Sequence, residues 1–275
     1  DPSTPILWSS SEADIASVGS DGLVIGHTAG TTYVSGSLGS SADSLLVTVS
    51  LRGAITVTFD DGWRTTYTQA FPLFQEFALL ANVGVNPGAV TWPAFLDESQ
   101  LQKLHEAGWS MVSHTMSHAY LPDLTDEELD HELRGAREFL DTRSFRGSDV
   151  FIVPYHDWGL RERTAVAKYY RAARGVAANY FSPIDSLVRW MPPDPFDLTG
   201  MEAADLPFTT VEGRDRLRAL LQRTVDEGVF LDLFFHQVPP EDVQALRETL
   251  SVLDAFRDRV LPYHELFPES PREVR

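Results

Sequence analysis

From residue 54 to residue 263 the chain repeats one pattern: short apolar runs alternate with stretches whose apolar residues recur at helical spacing. Residues 54–58, 109–112, 150–153 and 230–235 read as buried strands, with 82–89 and 259–263 as two more. Residues 67–80, 98–107 and 160–174 read as helices, the second closed by Gly108. Thr125-Asp126-Glu127-Glu128 fits a capping box, and Leu129, Leu133, Ala136 and Leu140 continue its apolar stripe. Leu217, Leu220, Leu221 and Val225 mark another helix, and Val243, Leu246, Leu250, Leu253 and Phe256 the last one. Strands separated by helices pair in parallel, so the expected class is α/β, with the strands arranged as a barrel. Residues 182–207, rich in Pro and Asp, read as a long irregular loop.

The chemistry gathers where the strands end. The first strand runs into Thr58-Phe59-Asp60-Asp61-Gly62. Neighbouring side chains at a strand end point in different directions, so one Asp can bind a metal while the other faces a substrate or a water. Two like charges this close need a cation or a hydrogen-bond partner. An Asp-Gly pair is also an ordinary turn signal. Downstream, Ser113-His114-Thr115-Met116-Ser117-His118 lies between a strand and a helix start. Histidines spaced i, i+4 can present two imidazoles to one ion from one side of a helical turn. One Asp and two His on successive strand ends leave a zinc position open, which is the catalytic pattern. Barrels carry their chemistry at this end of their strands.

These motifs resemble those of a known family. Residues from about 52 to 267 are similar to a polysaccharide deacetylase domain, the NodB-homology family or carbohydrate esterase family 4. Thr58 to Gly62 resembles its first motif, and His114 to His118 its second, with Leu121, Leu124 and Glu128 also fitting. Phe151-Ile152-Val153-Pro154-Tyr155 resembles the third, and Leu233-Phe234-Phe235-His236 the last. The resemblance implies a distorted (β/α) barrel of seven or eight parallel strands. It implies that Asp61, His114 and His118 hold a divalent metal, zinc first, with cobalt or nickel as alternatives. Asp60 would be the general base, the backbone N–H of Tyr155 an oxyanion donor, and His236 the general acid. A histidine suits proton donation near neutral pH.

The pattern also departs from the family. Ile152 stands where the best-known members carry an Arg that pairs with the base, and His156 stands where a related branch has Gly. Arg174 or Arg189 is a candidate for the missing cation. Asp185, Asp205 and Asp232 are candidates for the carboxylate that supports the last His. His156, Asp157 and Trp158 either line a sugar subsite or form an ordinary polar loop. Trp63, Trp92 and Trp190 offer stacking faces to a sugar or pack in the core. His27, His105, His131 and His264 read as solvated or structural.

Residues 1–50 differ in character, being rich in Ser, Gly, Thr and Val with no Lys or Arg. Short strands are expected at 6–8, 23–25, 32–37 and 44–49. Trp8-Ser9-Ser10-Ser11, Asp21-Gly22-Leu23-Val24 and Leu46-Val47-Thr48-Val49 resemble part of a group 2 bacterial immunoglobulin-like domain whose first strands are missing. The expected division is therefore a partial all-β module over 1–50 and a barrel over 51–275, in a fragment of a longer chain or surface assembly. Such a module would have a small core and would serve as a spacer.

Charge narrows the partners. The formal net charge of the 275 residues is -18, and of 22 basic residues only Lys103 and Lys168 are lysine. That balance argues against nucleic acid and other polyanions. It also resembles the composition of salt-adapted proteins, in which high salt screens the self-repulsion. No apolar run approaches membrane-spanning length, and without cysteine there is neither a disulfide nor a thiolate site. The expected function is a secreted or surface-displayed metal-dependent deacetylase. It would remove N-acetyl or O-acetyl groups from a polysaccharide or cell-surface glycan. The alternatives are an amidohydrolase of a small cyclic amide and a non-catalytic glycan- or receptor-binding module of a surface or viral fibre.

Overall fold

The computed structural model describes residues 5–26, 30–49, 53–178, 196, 198–203 and 209–267. The chain divides into two compact units, Asp1–Arg52 and Gly53–Arg275. In the first, β1 (Leu7–Ser10), β4 (Gly30–Leu38) and β5 (Ser41–Val49) form an antiparallel sheet. A hairpin of β2 (Ala16–Val18) and β3 (Val24–Gly26) forms a second, two-stranded sheet. Its core is small, as expected: Ala16, Thr32 and Val34 are buried, while Leu7, Leu45 and Leu46 are exposed. The hydroxyls of Ser10 and Ser11 meet that of Thr32 at 3.0 and 3.1 Å.

The second unit is a closed barrel of seven parallel strands, each beside the next in sequence. They are β6 (Ala54–Phe59), β7 (Asn82–Val85), β8 (Ser110–Ser113), β9 (Val150–Ile152), β10 (Ala172–Ala178), β11 (Leu198–Glu202) and β12 (Phe230–Phe235). Pairing of β12 with β6 completes the ring. Between them run α1 (Phe71–Phe77), α2 (Glu98–Glu106), α3 (Asp126–Thr142), α4 (Leu160–Val166) and α5 (Val211–Asp226). Helices α6 (Val243–Leu253) and α7 (Tyr263–Leu266) follow β12.

The two-residue period of the strands sorts their side chains. Ile55, Val57 and Phe59 of β6, with Leu231, Leu233 and Phe235 of β12, belong to the core shared with the helices. Phe59 stacks on Trp109 and Phe235 at 5.7 and 5.4 Å. The alternate positions face the barrel interior, which is graded along its length. Ala54, Val112, Val150, Ala172 and Phe230 pack round Tyr263 as an apolar plug. Further along, buried Thr56, Thr58, Asn82, Arg174 and Asp232 make the interior polar. The Asn82 amide donates to Thr56 and to the Val57 carbonyl, and its oxygen accepts from the Tyr263 N–H at 2.7 Å.

Capping boxes start α2 at Asp97 and α3 at Thr125, the latter as read from the sequence. Five expectations change. The helical stripe over 67–80 begins as a π-helical turn (Thr66–Ala70) and ends at Phe77, where Ala78 turns left-handed. The expected strand over 82–89 stops at Val85, and Pro87–Ala89 forms a 3-10 turn. The helix expected over 160–174 ends at Val166, and Arg174 lies within β10. Residues 259–263 are not a strand: one bridge joins Val260 to Ile55, and Pro262 then caps α7. Part of the expected 182–207 loop is β11, a barrel strand. Arg189, Trp190, Asp185, Asp205 and His27 lie outside the described residues.

Candidate active site

The metal-type triad assembles. The ligand atoms of Asp61, His114 and His118 lie within 4.8 Å of one another. Asp61 Oδ1 is 3.3 Å from His114 Nε2 and 3.1 Å from His118 Nε2. The histidine pair sits on an irregular loop rather than a helical turn, with Thr115 and His118 at φ +66° and +60°. His114 Nδ1 lies 2.9 Å from the Ile152 carbonyl, which can only accept. Nδ1 therefore carries the proton, and Nε2 faces Asp61. The Trp63 indole N–H donates to Asp61 Oδ2 at 2.9 Å. Oδ1 is buried with no hydrogen-bond partner. Burial pushes the Asp61 carboxyl up, but contacts with His114 and His118, and the Trp63 bond, hold it well below the usual carboxylate range.

This donor set fits a divalent metal. Two imidazole nitrogens and an orphaned carboxylate oxygen converge, an arrangement that a cation would favour. The bond from His114 to the Ile152 carbonyl and that from Trp63 to Asp61 are of the kind that orients metal ligands from outside.

Asp60 lies beside the triad, 1% exposed, on the inward side of β6. Arg174 Nη2 reaches its oxygens at 2.6 and 2.5 Å. Arg174, one of the two arginines considered for the missing cation, thus reaches Asp60 from β10, while Arg189 lies outside the described residues. Arg174 Nε also lies 2.9 Å from Asp232 Oδ2 on β12. Asp232 accepts from Thr58 Oγ1 at 2.8 Å and from the Tyr263 hydroxyl at 3.1 Å. Burial pushes the Asp232 carboxyl up to about 7, against the pull of Arg174 and with the Asp60 charge adding to the rise.

His236 and Tyr155 complete the mouth. Among the described residues the carboxylate that meets His236 is Glu202, at the end of β11, with Oε1 3.3 Å from His236 Nδ1, while Asp232 pairs with Arg174 instead. Sequence reading missed Glu202 because its strand was read as loop. The available signal was an acidic residue ending the short apolar run Leu198–Glu202. Tyr155 is 59% exposed, and its hydroxyl lies 3.1 Å from His118 Nδ1. Tyr155 and His156 both take left-handed backbone, at φ +58° and +56°. With Asp61, Thr115 and His118, five of the seven non-glycine residues at positive φ belong to these loops. Each costs about 1–3 kcal/mol, and strain of this kind gathers at functional sites.

The remaining candidates separate. His156 is half-buried 5.2 Å from the Phe234 ring, and burial, with the charge of Arg174, lowers its pKa to about 4. Trp158 packs on β10, where a Cβ at Gly175 would lie 2.4 Å from its ring. Asp157 accepts from the Tyr120 hydroxyl. Trp63 stacks on Phe95 at 4.4 Å. Trp92, 58% exposed, lines with Trp63, Phe95, Asn86, Asp61 and His118 a pocket of about 340 Å³ beside the triad. His105 packs on Phe145, His131 is exposed, and His264 Nδ1 meets Ser110 Oγ at 2.8 Å. Those three are solvated or structural, as expected.

Comparison with known proteins agrees with this geometry. Residues 50–172 match the family model of polysaccharide deacetylases. The Bacillus subtilis protein YxkH, provisionally named as a polysaccharide deacetylase, is 24% identical over 100 residues, covering 36% of this chain and 36% of that protein. The peptidoglycan-N-acetylglucosamine deacetylase of Bacillus cereus is 31% identical over 88 residues, covering 32% of this chain and 39% of the relative. The chain thus spans little more than a third of the length of these curated relatives. The solved chitin deacetylase of the fungal pathogen Colletotrichum lindemuthianum superposes with a TM-score of 0.58 at 16% identity, covering 82% of this chain and 91% of the other. That likeness shows a shared fold. The family model covers a little under half of the chain, all but its first few residues within the barrel unit, and the structural likeness shows the fold of that unit. The matched residues include the first three motifs, while His236 lies beyond them.

Proposed function

We propose that the barrel unit is a metal-dependent deacetylase that hydrolyses N-acetyl or O-acetyl groups of a polysaccharide or cell-surface glycan. The observation that carries the reading is the triad of Asp61, His114 and His118 beside an Asp60 held by Arg174. Asp61, His114 and His118 would hold the ion, zinc by the chemistry of one carboxylate and two imidazoles. Once bound, such an ion supplies Lewis acidity, which acidifies water and polarises a carbonyl. Asp60 accepts the proton of the attacking water, and Arg174 keeps its carboxylate aimed at the mouth. The N–H of Tyr155, fixed by the left-handed turn, donates to the developing oxyanion. His236, oriented by Glu202, protonates the departing amine or alcohol. The N-terminal unit serves as an immunoglobulin-like spacer in an extracellular protein.

A binding-only module would have no use for a base with a dedicated buried counter-charge, and Arg174 supplies one from β10, across the barrel. The test is acetate release from acetylated chito-oligosaccharides and a panel of acetylated glycans. The protein is first chelated and then reloaded with zinc or cobalt. Release that depends on metal and is abolished in Asp60→Asn supports the reading. Absence of release from every substrate with a stoichiometric metal bound refutes it.

A further inference from the structure

We infer that Asp232 is a positioning residue for the base: it fixes Arg174 in the pose from which the guanidinium reaches Asp60. This rests on the deacetylase reading above. Asp232 is fully buried and sits on β12 in register with Thr56 of β6 and Gly200 of β11. Its described polar contacts are Thr58, Tyr263 and Arg174. Thr58 holds one oxygen and Tyr263 the other, so the carboxylate cannot turn.

Arg174 is held at several points along its length. A Cβ at Gly200 would fall 2.7 Å from its Cδ, so that glycine supplies the room for its stem. Its guanidinium carbon lies 4.3 Å over the Phe234 ring. Nη2 is committed to Asp60. Among the described residues Nη1 has no partner, and Nε faces Asp232 at ion-pair distance without an aligned hydrogen bond. The charge of Asp232, rather than a full set of hydrogen bonds, therefore sets the tilt of the guanidinium plane. Without that charge the group can rotate on its stem and lose one of its two contacts with Asp60.

The test compares kcat and KM for acetate release by the zinc-loaded full chain. Asp232→Asn is expected to lower kcat about tenfold or more, as supporting contacts behind a site do, with KM and zinc stoichiometry unchanged. In an Arg174→Met background it is expected to have no further effect, because it acts through Arg174. Should Asp232→Asn not fold, Tyr263→Phe, which removes a single hydroxyl, is expected to lower kcat in the same sense without moving KM. A kcat equal to wild type in the folded variant, or losses that multiply in the double variant, overturns the inference and leaves the deacetylase reading standing. A wild type that releases no acetate from any substrate overturns both.

Discussion

Arg174→Met removes the guanidinium that pairs with two buried carboxylates while filling most of its volume. With both carboxylates ionised, Asp60, Arg174 and Asp232 carry one net negative charge at buried positions. Removing one partner of a buried ion pair costs about 3–5 kcal/mol. Here two carboxylates depend on the same guanidinium, so the upper part of that range applies. In a domain of this size, about 2–4 °C is lost per kcal/mol, so about 4–5 kcal/mol gives a fall in Tm of about 8–20 °C. The loss depends on pH in a definite direction. Burial already pushes the Asp232 carboxyl up to about 7, and Arg174 is the main influence pulling it down. Without Arg174 it rises further, so the folded state holds a proton that the unfolded chain, with an Asp near 3.9, releases. A folded state that binds the extra proton loses stability as pH rises from about 4 through the raised value. The deficit relative to wild type is therefore largest near pH 8 and shrinks toward pH 5.5. Melting followed by near-UV circular dichroism at both pH values, with wild type alongside, measures it. A Tm within about 4 °C of wild type at pH 8, or an equal deficit at both pH values, refutes the reasoning.

Other consequences follow from the same contacts. Gly200→Ala places a methyl 2.7 Å from Arg174 Cδ and 2.8 Å from Phe234, so overpacking of about 1–3 kcal/mol and a lower Tm are expected. An unchanged melt would show that Arg174 has room to move. Trp63→Phe removes the donor to Asp61 Oδ2 and is expected to weaken zinc binding about 10–100-fold, read by competition with a chromophoric chelator. Zinc at about a thousand times its Kd stabilises the fold by about 4 kcal/mol, so chelation is expected to lower Tm by about 8–16 °C, restored on reloading. A melt indifferent to chelator argues against the metal site. With a net charge of -18, Tm is expected to rise in molar KCl as self-repulsion is screened. A melt unaffected by salt would remove the case for salt adaptation.

Much of the barrel could be read from residues alone, because burial on both faces leaves an apolar signature. All six residues of β6 and of β12 are buried, and both were evident as apolar runs. The capping box at Thr125 was legible because its side chains satisfy backbone groups locally. Segment 165–178 was not legible. Its Ala, Lys and Arg residues favour helix, yet pairing with β9 and β11 draws residues 172–178 into the barrel wall. β11 was hidden for a similar reason, as it carries Gly200, which has no side chain because Arg174 occupies the space. The Asp61, His114 and His118 triad was visible because its members sit in two short motifs. Glu202 was not, because its link to His236 exists only across the mouth between β11 and β12.

The position of Arg174 bears on how the site can differ from the motif of the family it resembles. Ile152, which stands in the expected place of the arginine, is the direct register partner of Arg174 across the β9–β10 ladder. Paired residues on neighbouring parallel strands point to the same face at the same height, so a side chain moved one strand over begins at the same level of the interior. An arginine is long enough to cover the difference. Ile152 then fills apolar space beside Val112 and Val150, and its backbone carbonyl still orients His114. The requirement is thus for a cation at one point in the barrel, reachable from either of two adjacent strands. Reading the third motif as a string shows a loss, whereas the closed sheet shows the charge displaced by one strand and still paired with Asp60.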